Sequence, residues 1–212
     1  MEASEILDRI EQMYPDAKAE LHFRNSFELL IAVILSAQTT DVRVNLTTPG
    51  LFAAYPTVYD LAKADVNQVE DLIKQIGLYR MKAKNIIRCS QQIVEDFQGV
   101  VPENRKALMS LAGVGRKTAN VVLSVAFDHP ALAVDTHVDR VSKRLRLAKP
   151  TDTVEQVEQK LMRKIPRNRW NKAHHLLIFF GRYTCLAQRP KCETCPFTEF
   201  CRYYQKKNSS SS

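Results

Sequence analysis

With 212 residues the chain is long enough for one or two domains with a substantial core, and its 45% hydrophobic and 25% charged residues suit a soluble globular protein rather than a disordered or fibrous one. Lysine and arginine number 31 against 23 aspartate and glutamate, a net charge of +8 that favours a polyanion, and nucleic acid over membrane because no basic amphipathic helix dominates. The most apolar run, 29–35, is far short of the roughly 20 residues of a membrane span, and the acidic start MEASEILDRIEQ is unlike a signal peptide. A cytoplasmic protein with no membrane partner is expected, in which disulfides are out of place.

Apolar spacing predicts a helix over 4–14, with Ile6, Leu7, Ile10 and Met13 on one side and Pro15 as its stop. Ser26 is placed to cap a second helix, FELLIAVILSAQ, apolar almost all round and therefore a core element. It leads into the polar run SAQTTD, which reads either as an exit loop or as a device that sets Gln38 at a surface groove. A helical stretch over 40–54 is expected to break at Pro49-Gly50. Thr57 with Asp60 resembles a capping box for 58–64, and Asp65 caps 66–76, which Gly77 stops. Leu78-Tyr79-Arg80 reads as a short loop before a helix over 81–97, whose Lys82, Lys84 and Arg88 form a solvated face except near that loop.

Asn104 caps a short helix ahead of LAGVGRKTAN, and a buried helix follows over 116–126. Beyond the break at Asp128-His129-Pro130, a short apolar stretch over 131–134 delivers Asp135, which can cap a helix over 136–147 rich in arginine and lysine. Thr153 and Gln156 form a second capping box for 154–164, and Asn168 opens a last long helix ending near Gly181. The end of the chain, 206–212, reads as a flexible tail. No strand alternation and no internal repeat is evident, so the fold class is all-α.

The GVGR turn between two helices carries the chemistry. Gly113 and Gly115 flank one small apolar residue and allow a tight turn. The unpartnered amides at the start of the next helix, with its dipole, make a seat for a phosphate. Lys117 lies in that first turn, where the helix dipole and neighbouring Arg116 disfavour a second positive charge and should ease its deprotonation. On this stretch alone, a nucleophilic amine and a merely solvated lysine both fit. A nucleotide phosphate loop fits poorly, because Arg116 separates Gly115 from Lys117.

Cys185, Cys192, Cys195 and Cys201 are spaced C-x6-C-x2-C-x5-C, whereas Cys89 stands alone and reads as a small buried side chain. Four neighbouring thiols in a cytosolic chain point to a metal centre, and spacing alone leaves iron–sulfur and zinc both open. Arg182, Arg189, Lys191 and Arg202 surround them, which suggests a metal-stapled loop that presents cations to phosphate.

Taken together, LAGVGRKTANVVL, AVDTHVDRVSKR and GRYTC with its three following cysteines closely resemble the endonuclease III family, the iron–sulfur branch of the helix-hairpin-helix DNA glycosylase superfamily. SAQTTD and IGLYRMKA match further family segments. The resemblance implies two lobes with DNA crossing the cleft between them: a six-helix domain over 21–130 carrying the hairpin, and a cluster domain of 1–20 plus 131–205. It implies a [4Fe–4S] cluster on the four clustered cysteines. It also implies a bifunctional DNA glycosylase and abasic-site lyase of base excision repair, acting on oxidised pyrimidines or abasic sites in double-stranded DNA and cutting 3′ of the site by β-elimination.

By the same resemblance Lys117 matches the nucleophile and Asp135 its partner carboxylate. Gln38 and Leu78 match the residues that fill the gap left by the flipped nucleotide, and Gly113 and Gly115 the backbone contact to phosphate. Arg189 and Lys191 are expected to contact DNA. In relatives, carbonyls of the hairpin turn hold a monovalent cation, which extends to this chain as an expectation. One departure is visible: Ala112 stands where the family usually has proline, which should loosen the turn slightly. The adenine-mismatch branch lacks the lysine and carries a further C-terminal domain, so Lys117 and the end at Ser212 point away from it. A silent DNA-binding protein would need neither Lys117 nor Asp135. A monomer associated with the bacterial nucleoid is expected.

Overall fold

The computed structural model describes residues 1–209. Every regular element among the described residues is helical, and none of the helices is long and apolar enough to cross a membrane. In chain order the α-helices are α1 (Ala3–Met13), α2 (Ser26–Ser36), α3 (Asp41–Ala54), α4 (Val58–Ala62), α5 (Val66–Ile73), α6 (Tyr79–Phe97), α7 (Arg105–Ser110), α8 (Arg116–Phe127), α9 (Thr136–Arg144), α10 (Val154–Lys164), α11 (Trp170–Tyr183) and α12 (Arg202–Ser209). Two compact units result. Glu20–His129 forms one, with α2 to α8; Met1–Ala19 and the chain from Pro130 onward form the other.

In the first unit α2 is the central element, with every residue from Phe27 to Leu35 buried. It packs against α3, α6 and α8. No face of a helix so apolar can be left in water, and burying each large side chain contributes about 1.5–3 kcal/mol. Its cap is Asn25 rather than Ser26: the Asn25 side chain accepts from Glu28 N, and Ser26 is already helical. The expected break at Pro49-Gly50 does not occur. α3 runs through both residues because Val44, Thr48, Leu51 and Phe52 lie on either side of the lost backbone bond and hold the helix by packing.

The capping boxes at Thr57–Asp60 and Thr153–Gln156 form, as do the caps at Asp65, Asn104 and Asp135. α5 stops at Ile73, short of the expected 76. α6 starts at Tyr79, so Leu78 is its N-cap and Tyr79-Arg80 belong to the helix rather than to a loop. Lys84 and Arg88 are exposed as expected, but Lys82 is buried.

The second unit folds around Ile6, Leu7 and Ile10 of α1, Leu161 of α10, and Leu176, Leu177 and Phe180 of α11. Gly181 lets α11 approach α9: a Cβ there would lie 2.9 Å from His137 Cβ and 3.1 Å from Val141 Cγ2. Part of the expected tail is helix instead. α12 extends through Lys206 to Ser209, whose hydroxyl donates to Lys206 O at 3.0 Å, and positions 210–212 lie outside the described residues.

Leu30 has no solvent exposure, so Leu30→Ala is expected to cost about 2–5 kcal/mol. A thermal midpoint unchanged from the parent would show that α2 is not the centre of this unit.

Candidate functional site

The hairpin is built locally and then locked from outside. Asn104 accepts from Ala107 N at 2.8 Å to start α7, and Arg105 Nε donates to the buried Asn120 Oδ1 of α8 at 2.9 Å. Val114 N closes the turn onto Leu111 O at 3.2 Å. Gly113 has φ +77°, and a Cβ there would lie 3.1 Å from Asn85 Cβ and 3.2 Å from Ile34 Cγ2. Both the backbone and the close approach to α2 and α6 therefore require glycine.

Gly115 differs. It is the N-cap of α8 at φ −93°, ψ 179°, with no atom within 4 Å of an added Cβ. Nothing among the described residues demands glycine there. Gly115 has no side chain with which to cap α8, whose N-terminal amides then depend on other partners. Lys117 sits in that turn, exposed, and its ammonium has no hydrogen-bond or ion-pair partner among the described residues.

The alanine at 112, expected to loosen the turn slightly, keeps an N–H that the turn uses. Gln92 of α6 spans it, accepting from Ala112 N at 2.7 Å and donating Nε2 to Ser110 O at 3.1 Å. A proline would have no N–H to offer this bond.

Gln38 and Leu78 are brought together elsewhere in the same unit. Both have left-handed backbones, φ 55° and 59°, and both side chains are exposed, Leu78 by 54%. They belong to adjacent loops: a Cβ on Gly77 would lie 3.4 Å from Gln38 O and 3.6 Å from Thr39 Oγ1.

In the second unit Asp135 caps α9. Its Oδ1 accepts from His137 N at 2.9 Å and Val138 N at 2.8 Å, which fixes the carboxylate while it remains half-buried. The four clustered cysteines line one cavity with Arg144, Phe180 and Tyr203. Backbone bonds set their positions: Cys185 N to Phe180 O at 2.7 Å, Cys195 N to Cys192 O at 3.2 Å, and Cys201 N to Phe197 O at 2.7 Å. Phe180 and Phe197 pack edge to face at 5.4 Å on the core side. Among the described residues no three cysteine, histidine or acidic side chains converge tightly enough for a single metal ion. An all-thiolate set lining one cavity suits an iron–sulfur cluster.

Burial raises the thiol pKa of Cys185 and of Cys192 and pushes Cys195 up to about 11, so iron must displace protons held more tightly than in free cysteine. Burial also pushes Cys89 to about 12, which suits an inert core thiol.

The arginines around the loop divide in a way that the sequence did not reveal. Arg144 Nη1 donates to Cys185 Sγ at 3.3 Å and to Leu186 O at 2.8 Å, with its guanidinium 4.0 Å over the Tyr203 ring. Arg140 donates to Cys185 O at 3.1 Å and to Gly181 O at 2.8 Å. Arg202, expected to face phosphate, is half-buried and donates to Lys143 O and Ala148 O instead. Arg189 and Lys191 are exposed.

The profile of the HhH-GPD superfamily of base excision DNA repair proteins matches residues 31–167, and that of the iron–sulfur binding domain of endonuclease III matches 185–201. The chain is 53% identical to endonuclease III of Bacillus subtilis, over 95% of this chain and 92% of that protein. It is 48% identical to the Escherichia coli K12 protein of the same name, over 95% of each chain. A solved structure of a trapped endonuclease III–DNA covalent intermediate superposes with a TM-score of 0.94 at 51% identity, covering 97% of this chain and 96% of that one.

Gln92→Leu removes the brace on the hairpin turn and is expected to cost about 1 kcal/mol, read from the thermal midpoint. Leu111, at φ −78° and ψ 144°, already has the backbone favoured before proline. Ala112→Pro should therefore restore stability to the Gln92→Leu protein but not stabilise the parent, where it breaks the Gln92 bond. Equal effects of Ala112→Pro in both backgrounds would exclude the brace.

Proposed function

Because this chain belongs to the endonuclease III family of HhH-GPD base excision repair proteins, and is thereby a DNA glycosylase with an iron–sulfur cluster, we propose that it is bifunctional, removing oxidised pyrimidines from duplex DNA and then cutting the strand at the abasic site. The observation that carries this reading is Lys117: an exposed amine with no hydrogen-bond or ion-pair partner among the described residues, in the first turn of a helix whose N-cap is a glycine. The trapped covalent complex of a relative 51% identical supports it.

The reaction begins with the damaged nucleotide flipped out of the stack, since its sugar carbon is out of reach in the duplex. The neutral amine of Lys117 attacks C1′, and the base leaves with the electron pair of the glycosidic bond and is protonated. Opening of the C1′–O4′ bond and loss of the amine proton give an imine between Nζ and C1′. The imine acidifies the C2′ proton; its removal expels the 3′ phosphate, cutting on the 3′ side, and water then releases Lys117.

Asp135 takes the part of the partner carboxylate. It accepts a proton from Lys117 and stabilises positive charge developing on the sugar. The two amide bonds to its Oδ1 hold it in place for that work.

Gln38 and Leu78 fill the space vacated by the flipped nucleotide, the amide pairing with the orphaned base and the apolar side chain stacking. Their exposure and pairing support this, as does the estranged adenine of the relative's complex. The open approach at Gly115 suits a phosphate drawn against the α8 amides, with Arg189 and Lys191 as further phosphate contacts. The cluster, when bound, cross-links the loop that carries those two residues. We take the working form to be a monomer on nucleoid DNA.

Borohydride added to the protein on duplex DNA with an oxidised pyrimidine should trap a covalent complex, and Lys117→Gln should trap none. Trapping by Lys117→Gln would assign the imine to another amine, and base release without trapping by the parent would leave a monofunctional glycosylase. Asparagine caps a helix as well as aspartate does, so Asp135→Asn should keep the thermal midpoint while slowing base removal by about 100-fold or more. A loss of stability equal to the loss of activity would reduce Asp135 to a cap.

A further inference from the structure

Lys82 is 2% exposed, yet its three acceptors are uncharged. Its Nζ donates to Leu35 O at 2.8 Å, Ala37 O at 2.6 Å and Thr39 Oγ1 at 3.1 Å. Its backbone N–H donates to Leu78 O at 3.1 Å. Burying an ammonium is costly, and here burial lowers its pKa. Part of that cost is offset because Lys82 meets the C-terminal end of α2, where orphaned carbonyls and the negative end of the helix dipole both favour a cation.

A helix end can be capped at the surface by water without burying a charge. What a buried charge adds is the geometry of its ligands. Ala37 and Thr39 bracket Gln38, so the ammonium grips the loop on both sides of that residue, and Gly77, next to Leu78, lies against the same loop, where a Cβ would meet Gln38 O at 3.4 Å and Thr39 Oγ1 at 3.6 Å. Gln38 and Leu78 are both in left-handed conformations that residues with a Cβ adopt only under constraint from their surroundings. Exposed side chains on two short loops would otherwise lose conformational entropy when inserted into DNA, and pre-ordering removes that loss.

We propose that Lys82 is a positioning residue that makes Gln38 and Leu78 a single preformed wedge for the DNA duplex. The proposal rests on the reading of those two side chains as the gap-filling pair.

The test is a double-mutant cycle on the full, cluster-loaded protein. The probe is a duplex containing a tetrahydrofuran abasic analogue opposite 2-aminopurine, whose fluorescence rises when that base is unstacked. Lys82→Met should weaken binding about tenfold and lower the fluorescence of the saturated complex, which a loss of general stability would not do. In a Gln38→Ala/Leu78→Ala background, Lys82→Met should weaken binding no further. Thr39→Val, which removes one of the three acceptors and leaves the ammonium buried, should act in the same direction by a smaller factor and serves if Lys82→Met does not fold. Additive losses in the cycle, or unchanged fluorescence of the saturated Lys82→Met or Thr39→Val complex, would overturn the proposal. If Gln38→Ala/Leu78→Ala itself binds as the parent does, the wedge reading fails beneath it. If that pair weakens binding but Lys82→Met and Thr39→Val do not, only the role of Lys82 fails.

Discussion

The burial of α2 is the constraint on which the hairpin unit depends. Its nine consecutive buried residues leave no face for water, so α3, α6 and α8 must all pack around it. The contact between Ile34 and the hairpin turn seats Gly113 against the helix. The C-terminal carbonyls of the same helix hold the ammonium of Lys82, and with it the Gln38 loop. One apolar helix thus sets the position of two separate loops, the hairpin turn and the Gln38 loop, because a close-packed interior leaves its neighbours few alternatives.

The cysteine loop works by a different logic. It has little regular structure, only a short 3-10 turn at Cys192–Thr194, and is held by backbone bonds to the end of α11 and by two arginines of α9. Arg140 and Arg144 direct their donors at carbonyls and at one sulfur, so much of the positive charge near the thiols serves the loop itself. One of those donors, Arg144 Nη1, also lies 3.3 Å from the Cys185 sulfur, which becomes anionic when iron binds, making the contact charge-assisted and stronger than one between neutral groups. The cations left exposed, Arg189 and Lys191, are carried by the segment that the cluster closes.

Under the proposed mechanism, several residues serve structure and chemistry at once. Asp135 caps α9 with one carboxylate oxygen, and Gly115 caps α8 while leaving its surroundings open. Gln92 holds the hairpin turn by an amide that proline would remove. Ala112 and Gln92 are therefore best understood as a pair, since neither residue explains the geometry of the turn without the other.

Much of this was legible in the sequence, for a physical reason. Caps such as Asp65, Asn104 and Asp135 and the boxes at Thr57 and Thr153 are bonds between residues two or three positions apart, so the short segment contains everything needed to form them. Helical class, the α2 core, the hairpin and the cysteine spacing follow from equally local patterns. The remainder depended on partners far along the chain. The continuity of α3 through Pro49 is imposed by packing, and the burial of Lys82 by the end of a helix more than forty residues earlier. Arg202 turns inward to carbonyls at 143 and 148, and Gln92 reaches a turn twenty residues away. The sequence by itself determined which segments are helices and which residues bear reactive groups, because those are properties of neighbours. Only the tertiary structure decided which charges face solvent and which brace a loop, because that depends on where distant backbone carbonyls come to lie.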